Sequence, residues 1–368
     1  MQLDVFGSTL LVGLPMSIWL AFASSLAVSI LLVLTARWHA GLTHDQAHGV
    51  QKLHIDATPR VGGIAVFVGV AVAYFFASDA RAAILGPLWM AGSAAFVFGL
   101  LEDVTKRVSV SVRLVATILS GLLGWAITGV ALHRLGWPWL DDFLNHPGVA
   151  VVFTAFAIGG IANAINIIDG LNGLASAMKI IALTTVALIA YAEGDAPLAF
   201  ACLSISAAVL GFFWVNWPMG KLFLGDGGSY FGGFALAWSC VLLVERNTSV
   251  APFACLLVCI YPFVEVLFSI YRRHLKQHPP GMPDRQHLHS LVYRRYIATF
   301  APTVKENSAA GMLVAMMNVP PAVAAYAFKN SNTHACMASV VFVVAYVMLY
   351  RRIIRFTWAS NVQPAKTL

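Results

Sequence analysis

The amino-acid sequence predicts an all-α, polytopic membrane protein, and three observations carry that expectation. The 368 residues are 59% hydrophobic and only 11% charged, whereas a soluble domain is about 25% charged. The apolar residues gather in recurrent runs of about 17–25, the length of helix that crosses a bilayer. The basic residues are sorted by the loops between those runs: of the 23 Lys and Arg, all but Arg81, Arg134, Arg246 and Lys329 fall in one alternating set. Length alone would suggest two soluble domains, but this composition reads as one integral-membrane domain, residues 1–368. The first apolar run, Leu10 to Leu34, is too long for a signal-peptide core and lacks a basic region before it, so no cleaved leader is expected.

About eleven spans follow, centred on Ala23, Val68, Ala94, Gly121, Ala155, Val186, Ala207, Leu236, Leu257, Ala315 and Val343. The sorted basic residues make their loops cytoplasmic by the positive-inside rule. The N-terminus is then outside and the C-terminus cytoplasmic, an agreement that an even number of spans would break. The net charge of +7 needs no nucleic-acid partner, because topology and attraction to anionic headgroups account for it. On the outside only the loop His133 to Gly148 is extended, and its Trp137 and Trp139 read as interface anchors. Cys202, Cys240, Cys255, Cys259 and Cys336 all lie in apolar runs without a metal-site pattern, so they read as core or lipid-facing residues.

The unusual polar residues crowd into five cytoplasmic loops, 36–61, 102–113, 163–175, 216–229 and 272–307. The stretch Asn163 to Ala175 places Asn163, Asn166, Asp169 and Asn172 three residues apart, between two apolar runs. The first three share one face if the helix continues, and Gly170 and Gly173 let the backbone break there. Polar side chains at such a junction indicate a functional site, although asparagines that only join helices would explain Asn163. Loop one holds Lys52, His54 and Arg60, which suit a phosphate and equally suit anchoring at the membrane surface. In loop two the adjacent Glu102 and Asp103 repel and call for a cation or a proton, with Lys106 and Arg107 as the plainer neutralisers. Loop four sets Asp226 among Gly225, Gly227 and Gly228. A Gly-rich turn ahead of a helix offers N–H groups to phosphate, and one acid within it looks like a Mg²⁺ ligand. Loop five carries His287-Leu-His289 beside Asp284 and Arg285, which reads as a transition-metal pair, a phosphate site or a solvated loop. Glu265, inside the ninth span, is an intramembrane acid that asks for a partner.

Together these loops resemble those of the polyprenyl-phosphate N-acetylhexosamine-1-phosphate transferases, and the resemblance runs from loop one through loop five. Lys52-Leu-His54 with Thr58-Pro-Arg-Val-Gly-Gly63 is similar to the family's first loop. Glu102-Asp103 stands at its Asp-Asp pair, and Asn163 to Ala175 resembles its Asn-x-x-Asn-x-x-Asp-Gly-x-x-Gly-Leu pattern. Asn216 with Phe223-Leu-Gly-Asp-Gly-Gly-Ser229 is similar to its Phe-x-Gly-Asp-x-Gly-Ser segment. Asp284 to His289 resembles the His motif of the undecaprenyl-phosphate N-acetylglucosaminyl branch, and the three-His run of the muropeptide branch is missing.

The resemblance implies a Mg²⁺-dependent enzyme, with Mn²⁺ as a substitute ion, in the bacterial inner membrane with its active site on the cytoplasmic face. The implied partners are a UDP-N-acetylhexosamine, undecaprenyl phosphate and membrane lipid, with a homodimer as one assembly open to such a chain. Undecaprenyl phosphate would attack the β-phosphate of the UDP-sugar, giving lipid-diphosphate-sugar and UMP. That is an initiating step of cell-envelope polysaccharide synthesis, such as that of a lipopolysaccharide O-antigen. By position, Asp226 would hold Mg²⁺. Asn166 and Asp169 would face the nucleotide, with Asn216 near uracil and Phe223 stacked on it. His287, His289, Arg285 and Lys52 would bind phosphates, with His54 in the same first loop. Asp103 or Glu102 would deprotonate or orient the lipid phosphate.

Two residues depart from the family pattern. Glu102 replaces an Asp, and Asn172 stands where several relatives have Asp, removing a negative charge beside the nucleotide. Two other readings compete. A secondary transporter would place polar residues at the bilayer midplane, in broken and repeated helices, and no repeat stands out here. A catalytically inactive lipid-binding relative is the reading that Glu102 motivates.

Overall fold

A computed structural model of the chain describes residues 13–45, 58–275, 277, 286–297 and 303–355. Lys52, His54 and Arg285 lie outside the described residues. In order, the helices are α1 (Met16–Leu34), α2 (Ala36–Thr43), α3 (Gly63–Phe75), α4 (Asp79–Thr105), α5 (Val110–Thr128), α6 (Pro138–Leu144), α7 (Pro147–Ile168) and α8 (Leu174–Ala192). There follow α9 (Ala196–Asn216), α10 (Gly225–Arg246), α11 (Pro252–Val258), α12 (Ile260–Leu275), α13 (Leu288–Val292), α14 (Val304–Met316), α15 (Val319–Ala327) and α16 (Asn332–Arg355). A π-helical turn, Tyr293–Ile297, follows α13.

The chain is thus an all-α, multi-pass membrane protein. Among the described residues nine helices are long and apolar enough to cross a membrane, counting Val304–Ala327 as one. Each of the eleven centres expected from sequence falls in a helix, but two are not simple spans. Helix α3 has 13 residues, about 20 Å of rise, short of a hydrocarbon core of about 30 Å. The α11–α12 pair bends by 77° at its break, where Pro262 sits in the first turn of α12 and forms no helical N–H bond.

Local signals set several ends. Ser109 caps α5 by accepting from Val112 N, and Gly129 ends it at φ 72°. Asp195 caps α9, and Thr303 with Glu306 forms a capping box on α14. A two-residue ladder pairs His44 with Pro59 and Asp45 with Thr58. It continues into loop four, where Phe223 N donates to Pro59 O, and Gly62 N and Gly63 N donate to Phe223 O and Leu224 O.

Helix α10 is the axis of the bundle. The whole of its apolar window is buried, so no face of it meets lipid. Small residues allow this close packing: a Cβ on Gly63 would come 2.2 Å from Gly228 N, and one on Gly99 2.6 Å from Gly227 Cα. Large apolar side chains such as Trp19, Leu34, Val152, Phe156 and Val341 are exposed on the outer helices, as a bilayer-facing surface requires.

The polar residues separate to the two ends. One end gathers the C-termini of α4 and α7 with the N-termini of α3, α5, α8 and α10. The four basic residues that the sequence sorting left over all lie at the other end. Arg134 donates to the carbonyls of Val244, Asn247 and Val250 at the C-terminus of α10. Arg246 pairs with Asp195, Lys329 with Glu193, and Arg81 donates to Ser17.

Candidate active site

Asp226 is the centre of the first end. The expectation of a Gly-rich turn there is corrected: α10 already begins at Gly225, so Asp226, Gly227 and Gly228 form its first turn. Nor are the first N–H groups left for a phosphate. Asp226 N donates to Asp103 Oδ1 (2.8 Å) and Gly227 N to Asp103 Oδ2 (2.9 Å). The carboxylate of Asp103, 1% exposed, thus caps α10, where negative charge is favoured. Glu102 diverges from it and accepts from Val108 N at 2.8 Å, tying the 106–109 turn to the end of α4. The two adjacent acids are therefore separated by binding different backbone groups, with Arg60 Nε 3.4 Å from Asp103.

The Asp226 carboxylate, also 1% exposed, is held by two guanidiniums. Arg60 pairs with Oδ1 and Arg113 with Oδ2. Asn166 Nδ2 donates to Oδ1 at 3.0 Å, and Tyr230 OH donates to Asn166 Oδ1 at 3.1 Å. Three residues on, Asp169 ends α7 as its C-cap and accepts from Ser229 Oγ at 2.8 Å. Enclosure pushes the Asp169 carboxyl above its ordinary pKa, and the Lys179 ammonium and the Ser229 hydroxyl draw it back only in part.

Loop five reaches this cluster through Glu265. That buried acid finds the partners it asked for: His287 Nδ1 at 3.0 Å, Leu288 N at 3.1 Å and Tyr346 OH at 2.8 Å. His289 stacks parallel to His287, centroids 5.6 Å apart. Its Nε2 lies so close to Gly170 that a Cβ there would be 2.6 Å away.

The structure therefore brings Asp103, Asn166, Asp169 and Asp226 together, with Glu102 at the edge and His289 against the Asp169–Gly173 turn. It does not bring in every expected residue. Asn163 donates to Thr117 Oγ1 and Gly159 O, joining α7 to α5. Asn172 turns away because the helix ends at Ile168 and the three-residue period breaks. Its N donates to Asn307 Oδ1 and its Nδ2 to Ser308 on α14. Asn216 uses both ends of its amide on backbone, accepting from Gly173 N and donating to Leu222 O. Phe223, half-buried, follows directly on that loop.

Arg113, Tyr230 and Lys179 were missed as site residues, and Arg60 was noted only as suiting a phosphate. Arg113 and Lys179 were counted with the cytoplasmic loops. They are instead inside helices, Arg113 in the first turn of α5 and Lys179 in the second turn of α8. The available signal was a basic residue at the start of an apolar run.

Among the described residues no group of three or more His, Cys, Asp and Glu could hold a metal ion unaided. Mg²⁺ takes one or two protein carboxylates and completes its shell with phosphate oxygens and water. As a buried carboxylate at the head of a helix, Asp226 has the chemistry of one such ligand, and its oxygens are engaged by Arg60, Arg113 and Asn166.

The family described as Glycosyl transferase family 4 matches residues 85–244, a stretch that contains Glu102, Asp103, Arg113, Asn166, Asp169 and Asp226. The undecaprenyl-phosphate alpha-N-acetylglucosaminyl 1-phosphate transferase of Yersinia pestis is 31% identical over 252 residues, covering 66% of this chain and 68% of that protein. Its namesake from Escherichia coli (strain K12) is 28% identical over 256 residues, covering 66% and 67%. The "Probable undecaprenyl-phosphate N-acetylglucosaminyl 1-phosphate transferase" of Bacillus subtilis (strain 168) is 30% identical over 243 residues, covering 65% and 66%. With its carboxylate cluster inside the matched stretch, the chain belongs to glycosyl transferase family 4, in the branch of the undecaprenyl-phosphate N-acetylglucosaminyl 1-phosphate transferases.

Proposed function

We propose that the protein transfers N-acetylhexosamine-1-phosphate from a UDP-sugar to undecaprenyl phosphate at the cytoplasmic face of the bacterial inner membrane. The product is the lipid-diphosphate-sugar, UMP is released, and the reaction begins assembly of a cell-envelope polysaccharide. The observation that carries this reading is Asp226, held between Arg60 and Arg113 in the first turn of a buried helix. Phosphoryl transfer asks the protein for positioning and charge neutralisation more than for covalent chemistry, and paired guanidiniums suit phosphate oxygens.

An oxygen of the lipid phosphate attacks the β-phosphorus, and the bond from that phosphorus to the oxygen shared with UMP breaks. Arg60 and Arg113 leave Asp226 for the diphosphate and balance its charge. Asn166 and Asp169 orient the nucleotide side, and the His287–His289 pair, fixed by Glu265, meets the phosphates from loop five. Asp226 would hold Mg²⁺, which supplies neutralisation of the charge that develops on the leaving phosphate. Asp103 does its work through α10, by fixing the turn that carries Asp226.

The test is UMP release from a panel of UDP-sugars with undecaprenyl phosphate, for the wild type and for Asp226→Asn. The wild type releases UMP with at least one UDP-N-acetylhexosamine. The variant, which keeps size and loses charge, is slower by about two orders of magnitude or more. A wild type inactive with every donor refutes the reading, and a variant of near-normal turnover refutes the role of Asp226.

A further inference from the structure

Lys179 has no part in the roles above, yet it lies directly beneath the site. Its side chain is fully buried, at 0% exposure. Gly232 of α10 leaves the space for it, since a Cβ there would come 2.8 Å from Lys179 Nζ. Among the described residues the one acceptor near the ammonium is Gly228 O, and that contact is long, 3.5 Å. A buried ammonium with three donors and one distant acceptor is strongly unfavourable unless an opposite charge compensates it.

Asp169 is the acid placed to supply it. Lys179 reaches the carbonyl of Gly228, and Asp169 accepts from the hydroxyl of the next residue, Ser229, so the two charges attract through space across one turn of α10 without a direct ion pair. From the elements around it, Asp169 is faced by Lys179 on α8, by Ser229 and Asp226 on α10 and by Arg60 after the ladder. The cluster balances as a whole. Asp103, Asp226 and Asp169 stand against Arg60, Arg113 and Lys179. The first two carboxylates have the arginines as direct partners, which leaves Lys179 for the third. A diphosphate that recruits the arginines cannot recruit Lys179, which is sealed between α8 and α10.

We propose that Lys179 is a positioning residue for the transfer: a sealed cation that holds the Asp169 carboxylate against Ser229 while Arg60 and Arg113 exchange between Asp226 and the substrate phosphates. Its effect on turnover rests on the transferase reading above, and the pairing itself does not.

The experiment is a double-mutant cycle on the full chain in detergent, with Lys179→Met, Asp169→Asn and the pair together. Donor kinetics and the thermal midpoint are both read. Lys179→Met lowers kcat/KM for the UDP-sugar about tenfold or more and leaves KM for the lipid phosphate unmoved. Added to Asp169→Asn it costs nothing further, because the carboxylate it serves is gone. Unchanged donor kinetics in Lys179→Met, or losses that multiply in the double variant, overturn the proposal. The thermal arm stands apart from activity. Lys179→Met lowers the midpoint, and Asp169→Asn added to it raises the midpoint again by removing the uncompensated charge. A double variant no more stable than Lys179→Met shows Lys179 to be packing alone and overturns the pairing, whichever sugar the enzyme uses.

Discussion

At the scale of single residues, the proposed Mg²⁺ ligand, Asp226, is already engaged. Two guanidiniums and the Asn166 amide already occupy its oxygens, so Mg²⁺ must compete with cations held close by the fold. Mg²⁺ alone should leave the thermal midpoint of the wild type unmoved, and Mg²⁺ with a UDP-sugar should raise it, because the diphosphate draws the arginines away. Arg113→Met should bind Mg²⁺ without nucleotide, yet turn over about two orders of magnitude more slowly for want of a phosphate partner. Thermal shift titrations with and without nucleotide check both halves. Asn163 and Asn166 show what spacing can and cannot tell. Both occupy the same three-residue pattern, but Asn163 joins α7 to α5 and Asn166 reaches Asp226. Asn163→Ala should therefore lower stability by about 1 kcal/mol and leave kcat/KM near the wild-type value, whereas Asn166→Ala should lower kcat/KM. The sequence made the acids, the Asn-Asp stretch and the His pair visible as a set. It hid Lys179 and Arg113, because a basic residue at the start of an apolar run is indistinguishable from an interface anchor until a neighbouring helix encloses it.

At the scale of elements, the site depends on how closely helices approach the first turn of α10. Gly63 and Gly99 touch that turn backbone to backbone, and Gly160 on α7 has nothing within 4 Å of its would-be Cβ. Gly63→Ala should push α3 off α10, costing about 1–3 kcal/mol as overpacking does and lowering activity with it. Gly160→Ala should change neither thermal midpoint nor UMP release. Glycine content was plain in the sequence, but not which glycines meet backbone, because that depends on which helices become neighbours. The start of α10 was misplaced for a related reason. Gly-Asp-Gly-Gly reads locally as a turn, and it is helical here because Asp103, more than a hundred residues away, takes its first N–H groups. The bend between α11 and α12 was equally beyond a count of apolar residues, since its two halves sum to one span's length.

At the scale of the whole molecule, the two ends of the bundle use charge differently. The site end concentrates acids with buried cations. The other end is tied by pairs between loops, Arg246 with Asp195 and Lys329 with Glu193. Lys329 and Ser249 hold Glu193 down at about 2. For Asp195, burial pushes the carboxyl up, and Arg246, Leu198 N and Asn247 together leave it below its ordinary value. A carboxyl lowered in the folded state stabilises it at pH above the unfolded value, about 4.3 for Glu, and that stabilisation is lost as pH falls toward the folded value. The thermal midpoint should thus fall more steeply between about pH 5 and about pH 3 in the wild type than in Lys329→Met. The sorting of basic residues also predicts which end is cytoplasmic. A reporter after Leu368 should be cytoplasmic and one within His133–Gly148 extracytoplasmic, and the same side for both would refute that assignment. The enclosure of α10 on every side bears, finally, on how the chain is made. Its 22 residues include five glycines, Asp226 and Glu245. Its mean hydropathy of 1.4 is, with that of Val304–Ala327, the lowest of the nine described spans, so it partitions alone into hydrocarbon less readily than its neighbours. Its neighbours α3, α4, α5 and α7 leave the ribosome earlier, so α10 enters a slot already lined by protein. Removing any one of those helices should therefore leave α10 retained outside the bilayer, and membrane insertion of this segment should be the step at which biogenesis of a damaged chain fails.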